Sequence, residues 1–219
     1  MHRPPDHYER AFVSYLRSRR IPYVAVDEAR KTLLPTDHSL KVSVADAAPG
    51  TSPTSHTLKS FDYVLYGPGC NLLVEVKGRK VPHPKRTLKE ERAPLDLFAR
   101  PRKPTLQSWV GMDDVESLKI WQQLFGPEFR ATFVFVYWWE GQPADGLFQE
   151  TFECDGSWYG VRSCFLSDYV RCMKLRSPRW RTVHVLSRDF ERISHPLTPT
   201  LNQTGLEAPM GGEPVYAPL

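Results

Sequence analysis

The chain has 219 residues, 41% of them apolar, a net charge of +4 and a pI near 8.9. That is enough apolar sequence for one domain with a substantial core, and it excludes an intrinsically disordered chain. No apolar run reaches membrane-spanning length, and no secretory leader is legible. The four cysteines, Cys70, Cys154, Cys164 and Cys172, contain no Cys-x-x-Cys pair. The expectation is a cytoplasmic, membrane-free protein with free thiols, and neither a zinc knuckle nor a thioredoxin-type motif. A metal set of Cys154, Cys164 and Cys172 with a histidine is the minor alternative. The mildly basic balance is compatible with a nucleic-acid partner but does not establish one.

Residues 6–19 predict an amphipathic helix, because Tyr8, Phe12, Tyr15 and Leu16 recur on one face. Asp6 reads as its N-cap, with Glu9 three residues on as in a capping box. Residues 21–26 predict the first strand, with Pro22 tolerated at its start. Residues 35–58 are rich in Pro, Ser, Thr, Asp and His and read as a loop or poorly ordered insertion, with His38 and His56 exposed.

Two apolar strands follow, Phe61–Tyr66 and Leu72–Lys77, joined by Gly67-Pro68-Gly69 as a tight turn. Side chains alternate between faces along a strand, so Leu73, Glu75 and Lys77 share one face and Leu72, Val74 and Val76 the other. Folding the hairpin brings Asp62 toward Glu75. Charges in such strands are costly unless paired or metal-bound. Two converging carboxylates suit a hard divalent cation, Mg²⁺ or Mn²⁺, with the Val76 carbonyl as a third protein ligand. Such an ion keeps waters, one of which can act as a nucleophile. Lys77 would orient that water or stabilise phosphate charge. The competing reading is a plain edge-strand salt bridge.

Residues 79–108 are strongly basic and interrupted by prolines. Arg79, Lys80, Lys85, Arg86, Lys89, Arg102 and Lys103 would embrace a phosphate backbone beside the site, or else form an ordinary solvated loop. Asp113-Asp114-Val115 opens a second helix to about Phe125, with Val115, Leu118, Gln122 and Phe125 on one face and Gly126-Pro127 ending it. Residues 130–139 are near-continuously apolar and read as a central strand. Beyond it come a hairpin around Asp155-Gly156, a short helix over 167–174 and a strand over 182–186. Arg171, Lys174, Arg176, Arg179 and Arg181 cluster around Trp180, which suits either nucleic-acid contact or a domain-closing aromatic. From about Pro196 the chain is rich in Pro, Gly and Thr, lacks periodicity, and reads as a tail that is poorly ordered or drapes on the surface.

Asp62, then Glu75-Val76-Lys77 thirteen residues later on a hairpin, resembles the PD-(D/E)XK nuclease superfamily, the restriction-endonuclease-like proteins that include archaeal Holliday-junction resolvases. Phe61 stands where that motif often has proline. The resemblance covers about residues 6–139 and implies an α/β fold, an α-β-β-β-α-β core with a mixed central sheet. A C-terminal α+β extension over about 140–195 would complete a single domain of residues 1–195, with 196–219 as the tail. It implies a Mg²⁺- or Mn²⁺-dependent endonuclease acting on DNA, with Asp62 and Glu75 as metal ligands and Lys77 as the catalytic lysine. Glu9 would match the acidic residue that several members carry on the first helix; the cap role is its bland alternative. Gln122 would be an outer-shell residue, though a place on the surface rim is open to it. Dimerisation is common in the superfamily and a homodimer is a possibility. A non-catalytic nucleic-acid-binding or regulatory module on the same fold is the alternative function.

Overall fold

The computed structural model describes residues 6–27, 29, 41–44, 54–81, 105–139 and 150–202. Its elements are α1 (His7–Ser18), β1 (Tyr23–Ala25), β2 (Lys41–Val44), β3 (Thr54–Thr57), β4 (Tyr63–Tyr66), β5 (Asn71–Lys80) and β6 (Val110–Gly111). Next come α2 (Met112–Phe125), β7 (Phe129–Trp139), β8 (Thr151–Cys154), β9 (Ser157–Phe165), α3 (Leu166–Cys172) and β10 (Lys174–Ser177). The last are β11 (Thr182–His184), α4 (Ser187–Ile193) and α5 (Leu197–Leu201).

Six strands form one mixed sheet in the order β1-β4-β5-β7-β9-β8. The β1–β4 and β4–β5 pairs are antiparallel, β5–β7 is parallel, and β7–β9 and β9–β8 are antiparallel. The parallel step requires a crossover between β5 and β7, and α2 lies on it. The expected α/β core is therefore present as α1-β1-β4-β5-α2-β7, and β8 to α5 form the extension. β6, β10 and β11 make a second, three-stranded sheet in the order β10-β11-β6.

The sheet buries both faces, which is why β7 has no polar alternation over residues 133–139. On one face Phe12, Tyr15 and Leu16 of α1 pack on Leu72, Val74, Val134 and Val136. On the other, Val115 and Leu118 of α2 join Tyr169 and Phe190 against Leu73, Phe133, Phe135 and Tyr137. Each large apolar side chain fully removed from water contributes about 1.5–3 kcal/mol.

Three expectations need correction. Residues 35–58 are not loop throughout: Lys41–Val44 pairs antiparallel with Thr54–Thr57 as a separate two-stranded sheet, while His38 lies outside the described residues. The backbone ladder forms although the segment's composition favours turns. Second, Asp6 makes no side-chain cap on α1; its own backbone is helical, and its carboxylate pairs with Arg10 at 3.6 Å instead. Third, order continues past Pro196. Leu197 and Leu201 of α5 are buried against the α1 side of the sheet, and the buried Glu150 carboxylate accepts the Leu197 N–H at 2.8 Å.

Candidate active site

The β4–β5 register sets the centre of the site. Tyr63 pairs with Val74, so Asp62, one residue earlier, stands across from Glu75. The Asp62 N–H donates to the Val74 carbonyl at 3.0 Å, and its Oδ2 accepts the Val76 N–H at 2.6 Å. One residue's N–H and C=O leave a strand by the same edge. The Val76 carbonyl therefore leaves β5 on the Asp62 side.

Glu75 and Lys77 follow Leu73 on the α2 side of the sheet. Glu75 is only 5% exposed. Its Oε1 accepts from Lys77 Nζ at 2.7 Å and lies 3.6 Å from Lys59 Nζ. Each carboxylate thus has one oxygen engaged by the protein. Asp62 Oδ1 and Glu75 Oε2 make no hydrogen bond to any described residue.

Burial and the nearby Glu75 charge push the Asp62 carboxyl up to about 7, against the pull of the Val76 N–H and Lys77. Glu9 adds to that rise, which puts the α1 acid within electrostatic reach of Asp62. Glu9 itself is exposed in the first turn of α1. Its position depends on a close helix–strand approach: the Tyr8 ring lies against Gly78, and a β-carbon at residue 78 would collide with it.

Two further residues belong to this cluster, and sequence patterning did not point to them. Asp114, buried in the first turn of α2, bridges both lysines: it lies 2.5 Å from Lys77 Nζ and forms a short contact with Lys59 Nζ. Its Oδ2 also accepts the Gly111 N–H at 3.2 Å. Burial raises the Asp114 carboxyl, but Lys77 and Lys59 outweigh it and hold the group below its ordinary value. Lys59 is the mirror case, lowered by burial but raised overall by the hydrogen bond to Asp114 and the charges of Glu75, Asp114 and Asp62. Helix α2 also grips the Lys59 backbone. The Ser117 hydroxyl accepts the Lys59 N–H at 3.2 Å, and Trp121 Nε1 donates to the Lys59 carbonyl at 2.9 Å. Ser117 and Trp121 follow Asp114 by three and seven residues, on one helix face. Phe61, beside Asp62, packs edge-on against Trp121 and Phe125 with ring centroids 5.4 and 5.9 Å apart.

The other expected residues lie elsewhere. Gln122 is exposed, and its Oε1 accepts the Ala131 N–H at 2.7 Å, so it ties α2 to the start of β7 and does not reach the carboxylates. Arg79 is buried at 8% exposure, stacked on Trp109 at 3.8 Å. Lys80 points to the opposite face, over the Trp138 ring at 4.8 Å. Lys85, Arg86, Lys89, Arg102 and Lys103 lie outside the described residues.

Among the described residues no three His, Cys, Asp or Glu groups gather as a ready cation cage, Cys154, Cys164 and Cys172 included. The Asp62–Glu75 pair nevertheless fits a hard divalent ion that keeps waters. It offers two opposed carboxylates, each with an uncommitted oxygen, and burial together with the Glu75 charge holds Asp62 at a raised pKa that a cation would relieve. Among the described residues no helix is long and apolar enough to cross a membrane.

No protein-family model matches this chain. No curated protein matches it either. Hjc, a Holliday junction resolvase from the archaeal hyperthermophile Archaeoglobus fulgidus, superposes on 89% of this chain and 97% of its own, at a TM-score of 0.43 and 13% sequence identity. A likeness that distant carries no functional argument; the case for a function rests on the chain's own residues.

Proposed function

We propose that this chain is a divalent-metal-dependent nuclease that hydrolyses phosphodiester bonds, with DNA as the substrate class. The observation that carries the reading is the juxtaposition of the half-buried Asp62 and Lys77 with the buried Glu75 at one point on two paired strands, close to Asp114 and Lys59. Asp62 and Glu75, with the Val76 carbonyl, would hold Mg²⁺ or Mn²⁺. When bound, such an ion supplies Lewis acidity to a phosphate and to water.

The chain's own groups do the rest. Lys77 Nζ, fixed between Glu75 and Asp114, places a positive charge where phosphate charge grows or where a water must be aligned. Lys59 adds a second ammonium on the same side, on a backbone that α2 holds still. Asp114 spaces the two ammoniums and balances their charge in the absence of substrate. Glu9 supplies a further carboxylate near Asp62, for a water or a second ion.

The test is a panel of labelled linear, branched and single-stranded DNA and of RNA, incubated with Mg²⁺, Mn²⁺ or EDTA beside Glu75→Ala. Metal-dependent cleavage that the variant lacks is the expected result. Equal cleavage by the variant overturns the assignment. The second reading, a nucleic-acid-binding module without turnover, draws support from the closed Lys59–Asp114–Lys77–Glu75 network, which already satisfies both ammoniums internally. It predicts metal-independent retardation of nucleic acid that survives Glu75→Ala.

A further inference from the structure

Beyond Lys77, the same face of β5 continues into Arg79, a buried cation that no carboxylate among the described residues pairs with. Its guanidinium donates to the Gly78 carbonyl at 2.7 Å and to the Trp109 carbonyl, and its Nε has no partner among the described residues. Burial brings its pKa down only to about 10, so it stays charged at neutral pH. A buried charge is screened by salt far less than a surface one. Arg79 lies against the Trp109 ring at 3.8 Å, and Arg176 of β10 approaches the same ring at 4.9 Å.

β10 and β11 then project a hairpin whose tip is Trp180, 72% exposed, with the Arg179 guanidinium 5.4 Å from its ring. Lys174, Arg176 and Arg179 pair with no carboxylate among the described residues, whereas Arg181 pairs with Asp113 at 3.0 Å and Glu116 at 3.3 Å. Arg181 sits at φ +43°, a left-handed conformation uncommon for a residue with a side chain. Its carbonyl accepts the Met112 N–H at 2.8 Å. The tip is therefore fastened to the first turns of α2, the helix that carries Asp114 into the site. A large aromatic left exposed beside Arg179, on a hairpin whose Arg181 is anchored to α2, suits neither a core role nor a solvated turn. Those features match what unpaired nucleic acid recognises: phosphates seek the cations, and a base stacks on the ring.

We propose that the β10–β11 hairpin is a second nucleic-acid contact. It ends a cation–aromatic track that runs from Lys77 past the half-buried Trp109, on which the buried Arg79 stacks from within, to the exposed Arg176, Arg179 and Trp180, and grips an unpaired strand leaving the site. The inference rests on the nuclease reading for what lies at the track's origin, but its test needs no cleavage.

The experiment is fluorescence anisotropy of a labelled single strand and of the matching duplex in EDTA, over a salt series. The proteins are the parent, Trp180→Ala, Trp180→Phe and the double variant Arg176→Gln/Arg179→Gln. Trp180→Ala should weaken single-strand binding about ten-fold, as the loss of one stacked base implies. Trp180→Phe should keep most of the affinity, and duplex binding should change less than about twofold. The double variant should flatten the single-strand salt slope by about 1.4, two phosphate contacts at about 0.7 each. Single-strand binding by Trp180→Ala within about twofold of the parent overturns the proposal, as does an equal loss on duplex or a parent that binds no strand in EDTA. Binding that depends on Trp180 in a chain that never cleaves would sink the nuclease reading and leave the hairpin standing. Cleavage with an indifferent Trp180 would do the reverse.

Discussion

Replacing Asp62 with asparagine should stabilise the metal-free protein at high pH and leave it unchanged in acid. In the folded chain Asp62 keeps its proton to about pH 7, whereas an unperturbed aspartate releases it near 3.8. The unfolded chain therefore ionises first as pH rises, and the stability contributed by the protonated group is lost between about pH 4 and pH 7. Three decades in proton affinity at about 1.4 kcal/mol each set a ceiling of about 4 kcal/mol. Solvent at a carboxylate that is only partly buried brings the expected effect to about 1–2 kcal/mol. The asparagine of the variant cannot ionise, and its amide oxygen can still accept the Val76 N–H. The difference between the two proteins should grow from near zero at pH 4 to that value at pH 8, read from urea unfolding in EDTA. Added Mg²⁺ or Mn²⁺ should raise the midpoint of the parent above an ionic-strength control, because binding to the native state alone stabilises it, and should do so much less in the variant. A pH-independent difference, or a variant less stable at pH 8, would refute the account of Asp62 as a carboxyl held against a neighbouring charge.

Lys77→Met should lower metal-dependent cleavage by about two orders of magnitude or more, the size of effect seen when one preorganised charge-stabilising group is removed; single-turnover rates on the preferred substrate check it, with the circular dichroism spectrum unchanged. Asp114→Asn should leave Lys77 and Lys59 only Glu75 as a shared carboxylate among the described residues and cost about 1–2 kcal/mol in chemical denaturation, less than a fully buried broken pair because Glu75 remains and Lys59 is half exposed. Phe61→Ala should cost about 3–4 kcal/mol, since the ring is 3% exposed between Trp121 and Phe125. An intact protein with unaltered stability would remove Phe61 as the anchor between Asp62 and α2.

The hairpin of Asp62, Glu75 and Lys77 was legible because strand alternation is local: once residues 72–77 form a strand, Glu75 and Lys77 must share a face. The β4–β5 pairing then sets which residue faces Glu75, although its connection is the four residues 67–70 rather than a tight Gly-Pro-Gly turn, with the Gly69 N–H donating to the Leu201 carbonyl at 3.0 Å. The continuous apolar run of β7 was legible for the same reason. Lys59 was not, since it sits in a polar run before the strand and joins the site only through the docking of α2. Asp114 left a signal. It falls four residues before Leu118, on the buried face of the helix, but an acid in a first helical turn has an ordinary explanation in the helix dipole. Gln122 shares that face by spacing, yet it lies at the far end of the helix, where the β7 backbone engages it. Lys41-Val42-Ser43-Val44 alternates as a strand should, and the turn-rich composition around it hid the β2–β3 pairing.

Gly78 gives the site a mechanical degree of freedom that its charges do not reveal. The ring of Tyr8 rests where any other residue at 78 would carry a carbon, so a single hydrogen atom sets the spacing between α1 and β5. Asp62, Glu75 and Lys77 ride on the sheet, while Glu9 rides on the helix. Adding one methyl at position 78 would act as a shim between the two layers, lifting the helix-borne acid away while the strand-borne groups stay in register. The fourth carboxylate is thus adjustable by steric means alone, without changing a charged residue.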